Sequence, residues 1–141
     1  MDMKTRRRLL SAGGKPLIVY KEGDTALTNG GTGEYVGSKN FSFTNGCIEL
    51  KSANNLTALL LITGIDFSKY KKLYIEAKYG YHGYSDSNSS NLSAAIAYNT
   101  YTATRSIKSL DISDVLSAKY IWCRASGGTS GTASLYNIWL E

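Results

Sequence analysis

The sequence predicts an all-β protein built as an antiparallel β-sandwich. Three observations carry that reading. Short apolar and aromatic runs recur along the 141 residues, separated by Ser, Thr, Asn and Gly. The chain holds 11 Tyr and 14 Gly but one Pro, a balance that suits many strands joined by tight turns. No stretch of ordinary helix length repeats its apolar residues with a 3.6-residue period. A chain of this length buries enough surface to fold as one domain, expected over residues 17–141 behind a leader of residues 1–16.

Leu17-Ile18-Val19-Tyr20 reads as the first strand, and Asn29-Gly30-Gly31-Thr32-Gly33 as a loop. The clearest local structure is the hairpin Phe41 to Leu50. Asn45-Gly46 is the preferred pair for a type I′ turn, which needs positive φ at both positions. A turn there pairs Phe43 with Ile48 and Phe41 with Leu50 on one face. It pairs Ser42 with Glu49 and Thr44 with Cys47 on the other, so Cys47 falls on the polar face. Thr57 to Thr63 is apolar on both faces, as a central strand should be.

Lys72 to Tyr79 alternates, with Leu73, Ile75, Ala77 and Tyr79 facing one way and Lys72, Tyr74, Glu76 and Lys78 the other. In Leu92 to Tyr98, Leu92, Ala94, Ile96 and Tyr98 share a face, and Tyr101 to Ile107 is a weaker strand. Tyr120 to Ala125 points Ile121, Cys123 and Ala125 to one side and Tyr120, Trp122 and Arg124 to the other. Gly127 to Gly131 turns into the final strand, Ser134 to Glu141. Regular alternation there places Tyr136, Ile138 and Leu140 on one face and Leu135 and Trp139 on the other.

Ile65-Asp66-Phe67-Ser68 and Leu110-Asp111-Ile112-Ser113 repeat one phrase, apolar-Asp-apolar-Ser, each ahead of a strand. The Asp and Ser side chains suit capping of a single helical turn. A calcium site would need several oxygens converging from one compact loop, which neither phrase shows. No Cys/His metal cluster and no phosphate-cradling glycine motif is present, so no cofactor is expected.

The net charge of +5 is concentrated at the start of the chain. Lys4, Arg6, Arg7, Arg8 and Lys15, offset by Asp2, carry +4 of it, leaving about +1 on the folded body. A basic arm on a near-neutral body argues against nucleic-acid binding. Thr5 to Leu10 mimics a twin-arginine signal, but Ser11-Ala12-Gly13-Gly14-Lys15-Pro16 stands where an apolar region should follow. The chain is thus expected to be made in the cytoplasm without a signal peptide. Its longest uninterrupted apolar run, Ala58 to Ile62, is far short of a membrane span. Cys47 and Cys123 fall on opposite faces of their strands and are expected as unpaired thiols.

Ile65 to Ile75 resembles the folded corner and following strand of galactose-binding-like jelly-roll modules. Leu110 to Ile121 resembles a second such corner, and Leu135 to Leu140 their closing strand. More narrowly, Val19-Tyr20-Lys21-Glu22-Gly23-Asp24 behind the arginine-rich leader resembles terminal modules of phage and prophage tail proteins of Gram-positive bacteria. The resemblance implies a jelly-roll-like sandwich in a virion- or tail-associated protein that binds cell-surface carbohydrate.

A sugar ligand calls for exposed aromatic rings beside hydrogen-bonding side chains. The segment Tyr79 to Asn88 supplies Tyr79, Tyr81, His82, Tyr84 and Asp86 in what reads as a loop. Trp122, Arg124 and Trp139, on strand faces turned from the expected core, form a second group. The same aromatics suit a homo-oligomer or a contact with other virion proteins, and a ligand-free assembly domain is the alternative. Hydrolase chemistry is the third reading. His82 is the lone histidine available to a Ser-His-Asp arrangement, and Glu49 with Glu76 would be a distant carboxylate pair.

Overall fold

The computed structural model describes residues 15–28, 32–37, 41–51, 57–89, 91–125 and 131–141, with the backbone alone over 32–37. Among them are β1 (Leu17–Tyr20), β2 (Thr32–Gly37), β3 (Phe41–Thr44), β4 (Cys47–Lys51), β5 (Ala58–Thr63) and β6 (Lys72–Lys78). β7 (Tyr81–Ser85), β8 (Ala95–Thr100), β9 (Ser106–Asp111), β10 (Tyr120–Ala125) and β11 (Thr132–Leu140) follow. They form two antiparallel sheets. The six-stranded sheet runs β3-β4-β11-β6-β9, with β1 also on β11, and the five-stranded sheet runs β2-β5-β10-β7-β8. This is the expected all-β sandwich. Among the described residues no helix is long and apolar enough to cross a membrane. The leader up to Gly14 and the turn residues 127–130 lie outside the described residues, as do 29–31 of the expected first loop. Thr32 and Gly33, read as loop, open β2 instead.

The inner faces of the two sheets meet in one apolar core. Ile48 and Leu50 from β4, Leu73 and Ile75 from β6, and Ile138 and Leu140 from β11 contribute from one sheet. Leu60 and Ile62 from β5, Ile121 and Cys123 from β10, and Tyr84 from β7 contribute from the other. The β3–β4 hairpin has the register the sequence dictates, Phe41 with Leu50 and Phe43 with Ile48. Asn45 and Gly46 carry φ of 55° and 76°, as the type I′ turn requires. Cys47 takes its expected strand face but is buried, with Sγ 3.4 Å from Thr44 O. Burial pushes the thiols of Cys47 and Cys123 up, and the two are free, one on each sheet.

Both Asp-x-Ser phrases form side-chain caps. Asp66 Oδ1 accepts from Ser68 N at 3.0 Å at the head of the 3₁₀ turn Phe67–Lys69. Asp111 Oδ1 accepts from Ser113 N at 2.8 Å in an equivalent turn. The hydroxyls of Ser68 and Ser113 donate to the same oxygens, and these bonds, followed by the amide bonds, hold both carboxyls below their usual range.

β11 departs from simple alternation. It pairs with β4 through residues 132–135, with β1 through 138–140 and with β6 along its other edge. The β6 register shifts between Leu135 and Asn137. That irregularity adds one residue, Tyr136, and moves Leu135 onto the core face with Ile138 and Leu140. The expected facing of Leu135 and Tyr136 is corrected accordingly. Trp139 keeps its expected outer face but is 1% exposed, its ring stacked on Tyr74 with centroids 4.9 Å apart.

Candidate functional site

The segment Tyr79 to Asn88, expected as a loop, contains strand β7, which lies between β10 and β8. Alternation failed to announce it because its outward positions, Tyr81, Gly83 and Ser85, do not form a run of polar side chains opposite His82 and Tyr84. His82 and Tyr84 stand opposite Cys123 and Ile121 and point into the sandwich. His82 is fully buried. A carbonyl can only accept, so Nε2 donates to Tyr79 O at 2.8 Å, while Nδ1 has no partner. Burial drives the His82 pKa down to about 4, so the ring is neutral at pH 7. A buried neutral imidazole with no carboxylate bonded to it lacks the arrangement of a catalytic histidine. Glu76, one of the two distant carboxylates, is tied to Arg105 and Asn137. Among the described residues, no three His, Cys, Asp or Glu side chains converge as metal ligands.

The opposite face of β7 gathers a different group. Tyr81 pairs with Arg124 of β10, and Gly83 lies between Trp122 of β10 and Tyr98 of β8. A Cβ on Gly83 would collide with Ala97 O and come within 2.6 Å of Tyr98 Cα, so glycine lets β8 approach closely. Tyr98 packs edge-on to Tyr81 with centroids 5.7 Å apart, and its ring centre is 6.4 Å from that of Trp122. The Arg124 guanidinium sits 5.3 Å from the centre of the Tyr81 ring. Tyr98 is 38% exposed and its neighbour Ile96 49%, so this aromatic surface reaches solvent.

Trp122 forms the floor rather than the surface. It is fully buried with Leu59 and Leu61, under Leu92 and Tyr120, and its Nε1 donates to Ser89 O at 3.1 Å. The backbone that reaches Ser89 is shaped by serine side chains. Ser85 Oγ accepts from Ser87 N, and Ser87 Oγ accepts from Ser89 N.

The residues singled out in the sequence therefore separate into groups. Tyr81 and Arg124 meet on the outer face of the five-stranded sheet, with Trp122 closed beneath. His82 and Tyr84 point away from that face into the sandwich, and Trp139 lies on the other sheet. Tyr79 is exposed at a turn with φ of 60°, and Asp86 is exposed beyond the far end of β7. Sequence reasoning missed Tyr98. Leu92 to Tyr98 was expected to be one strand with its large residues sharing a face, whereas residues 92–94 form a 3₁₀ turn and Ala97 faces the core. The signal was the small Ala97 and the polar Asn99 on either side of Tyr98, which leave the larger ring outward, whereas Ala95, beyond a register shift, packs with Trp122 on the outer face.

No protein-family model matches the sequence, and none of the curated proteins does. Solved structures match over nearly the whole chain. A variant of a family 29 carbohydrate-binding module aligns with TM-score 0.64 and 14% identity, covering 91% of this chain and 92% of that one. The chain shares its fold with these modules. A family 29 module from Piromyces equi aligns with TM-score 0.61 and 13% identity, covering 89% of each chain. A further variant, complexed with mannohexaose, aligns with TM-score 0.64 and 14% identity over 89% of this chain and 90% of that one. At such identities the likeness is one of fold, and it does not transfer any binding residue.

Proposed function

We propose that this chain is a non-catalytic carbohydrate-binding module whose ligand lies on the outer face of the five-stranded sheet. The observation that carries the reading is the Tyr81–Tyr98–Arg124 surface, a partly exposed pair of tyrosines with a guanidinium beside them on one sheet face. Tyrosine rings cover the C–H face of a sugar, and the guanidinium and phenol groups meet its hydroxyls. The shared fold with carbohydrate-binding modules supports it. The buried His82 and the caps at Asp66 and Asp111 account for those titratable groups without any catalytic step. The tail-associated setting rests on the leader and the Val19 to Asp24 phrase alone.

The test is affinity electrophoresis against a panel of neutral and acidic polysaccharides. Retardation by at least one of them, reduced in Tyr98→Ala and Tyr81→Ala, is expected. Unchanged migration against every polysaccharide, from a protein with native circular dichroism, would remove the glycan reading.

A further inference from the structure

Resting on that reading of the aromatic face, we infer that His82 is its positioning residue: from inside the core, one imidazole N–H holds the Tyr79–Gly80 turn, and through that turn fixes Tyr81 beside Arg124. The turn carries the chain from β6 of one sheet to β7 of the other, and Tyr81 follows it directly. Both of its residues have positive φ, 60° at Tyr79 and 87° at Gly80. That conformation is strained for a tyrosine and persists only where the surroundings hold it. Tyr79 N donates to Thr102 O at 2.9 Å, and Tyr79 O accepts from His82 Nε2 at 2.8 Å. Gly80 O accepts from Tyr101 N at 2.9 Å. A Cβ on Gly80 would come within 2.7 Å of the His82 ring and 2.6 Å of Arg124 O. The turn is therefore seated between the imidazole and the Arg124 backbone, at the start of the strand that carries Tyr81.

The ring itself gains little from its burial. Nδ1 is enclosed without a partner, which costs free energy that an aliphatic side chain would not. What histidine supplies here is a rigid N–H aimed at one carbonyl. Cys123 of β10 and Asn99 of β8 are its register neighbours, and the Tyr101 ring centre is 5.1 Å away. Burial holds the Cys123 thiol and the Tyr101 phenol above their usual ranges, so both are neutral, and Tyr101 Oη donates to Ile75 O of β6. Lys108 of β9, with Nζ 5.4 Å from the Tyr101 ring centre, adds a cation and no acceptor. A second proton on the ring would thus find no acceptor at Nδ1, and the charged imidazole would be drawn from its seat under the turn.

The test is isothermal titration of the full chain with galactomannan, xylan, dextran and polygalacturonate as probes. At pH 7, His82→Leu is expected to weaken binding about fivefold or more to each polymer that the wild type binds, while still melting cooperatively. His82→Gln, whose amide N–H can donate to the same carbonyl, is expected to keep most of the affinity, a rescue that a purely space-filling role would not give. The ratio of wild-type to His82→Gln affinity, in which any titration of the polymer cancels, is expected to be level from pH 7 to 5.5. It should fall about twofold at pH 4, where about half of the rings are protonated. By reciprocity, the ring of this single histidine, followed by NMR, is expected to titrate at a lower pH when glycan is bound. Equal affinity in wild type and His82→Leu, a level ratio down to pH 4, or an unshifted NMR midpoint overturns the His82 inference while leaving the module a glycan binder. If His82→Leu does not fold, the ratio and the midpoint decide. Absence of binding to all four polymers and to the wider panel overturns both readings together.

Discussion

The outer faces of the two sheets solve the same problem in opposite ways. Each must cover or hydrate the side of a sheet that does not face the core. On the six-stranded sheet the polar groups are joined to one another. Arg105 Nη2 pairs with Glu22 at 2.6 Å and Arg105 Nε with Glu76 at 2.9 Å. Asn137 Nδ2 donates to Glu76 Oε1 at 2.7 Å, and Glu22 N donates to Asn137 Oδ1 at 3.0 Å. Arg105 also lies 3.9 Å over the Tyr136 ring. The bond from Arg105 holds the Glu22 carboxyl below its usual range. Burial opposes the same effect at Glu76, where the bonds from Arg105 and Asn137 prevail. The five-stranded sheet instead turns tyrosines outward over a buried tryptophan. A closed polar network fixes chain segments to a sheet, whereas partly exposed rings on a rigid floor offer contact area to a ligand.

The largest effect should come from removing the floor. Trp122→Ala deletes a fully buried indole and the bond to Ser89 O, and is expected to cost about 3–5 kcal/mol in urea unfolding. A loss below about 1 kcal/mol would show that the aromatic face stands without it.

The next is a pH dependence inside the five-stranded sheet. His82 is neutral in the folded state down to about pH 4, whereas in the unfolded chain it titrates near its ordinary value of 6.5. Between those values the unfolded state binds more protons, so stability falls as pH falls through that window and the contribution levels off below about 4. About 3 kcal/mol is at stake, read from urea midpoints between pH 7 and 4. His82→Gln should flatten the slope between pH 5 and 7. An unaltered slope would assign the acid sensitivity to the carboxylates of the other sheet.

Arg105→Ala tests that other sheet. It removes the Arg105 bonds to Glu22 and Glu76 and should cost about 1.5–3 kcal/mol, with glycan affinity unchanged. Lost affinity in a folded Arg105→Ala protein would contradict the division between the two faces. The smallest effect expected is that of Tyr98→Ala, about 1.4 kcal/mol in glycan affinity, a tenfold change, with a similar or smaller change in stability. The reverse pattern, a large stability loss and no affinity loss, would make Tyr98 a packing residue.

Much of the fold was legible because some elements are specified locally. Asn45-Gly46 fixes the hairpin register through turn geometry, and the apolar pattern of Phe41, Phe43, Ile48 and Leu50 agrees with it. Asp66 and Asp111 bond an amide two residues ahead, an interaction contained in the phrase itself. β6 alternates because one of its faces is buried and the other is not. The candidate site was legible only in part. Residue type alone points to Tyr81, Trp122 and Arg124, but the sequence groups Tyr98 with apolar residues, and it places His82 and Tyr84 in a loop.

By itself, the sequence determined the all-β class, the hairpin, both capped corners and the facing of β6 and β10, since each follows from turn chemistry or a period of two. Tertiary structure decided the rest. Only the irregularity at Tyr136 turns Leu135 inward, because one added residue inverts the alternation of a strand. Only pairing with β10 and β8 makes a strand of Tyr81 to Ser85, a segment without a one-sided pattern. The last strand shows both limits at once. Its apolar residues announced that it would be buried, but the neighbouring strands decided that Trp139 would stack on Tyr74. The pairing of β7 with β8 likewise decided that Tyr98 would stand beside Tyr81.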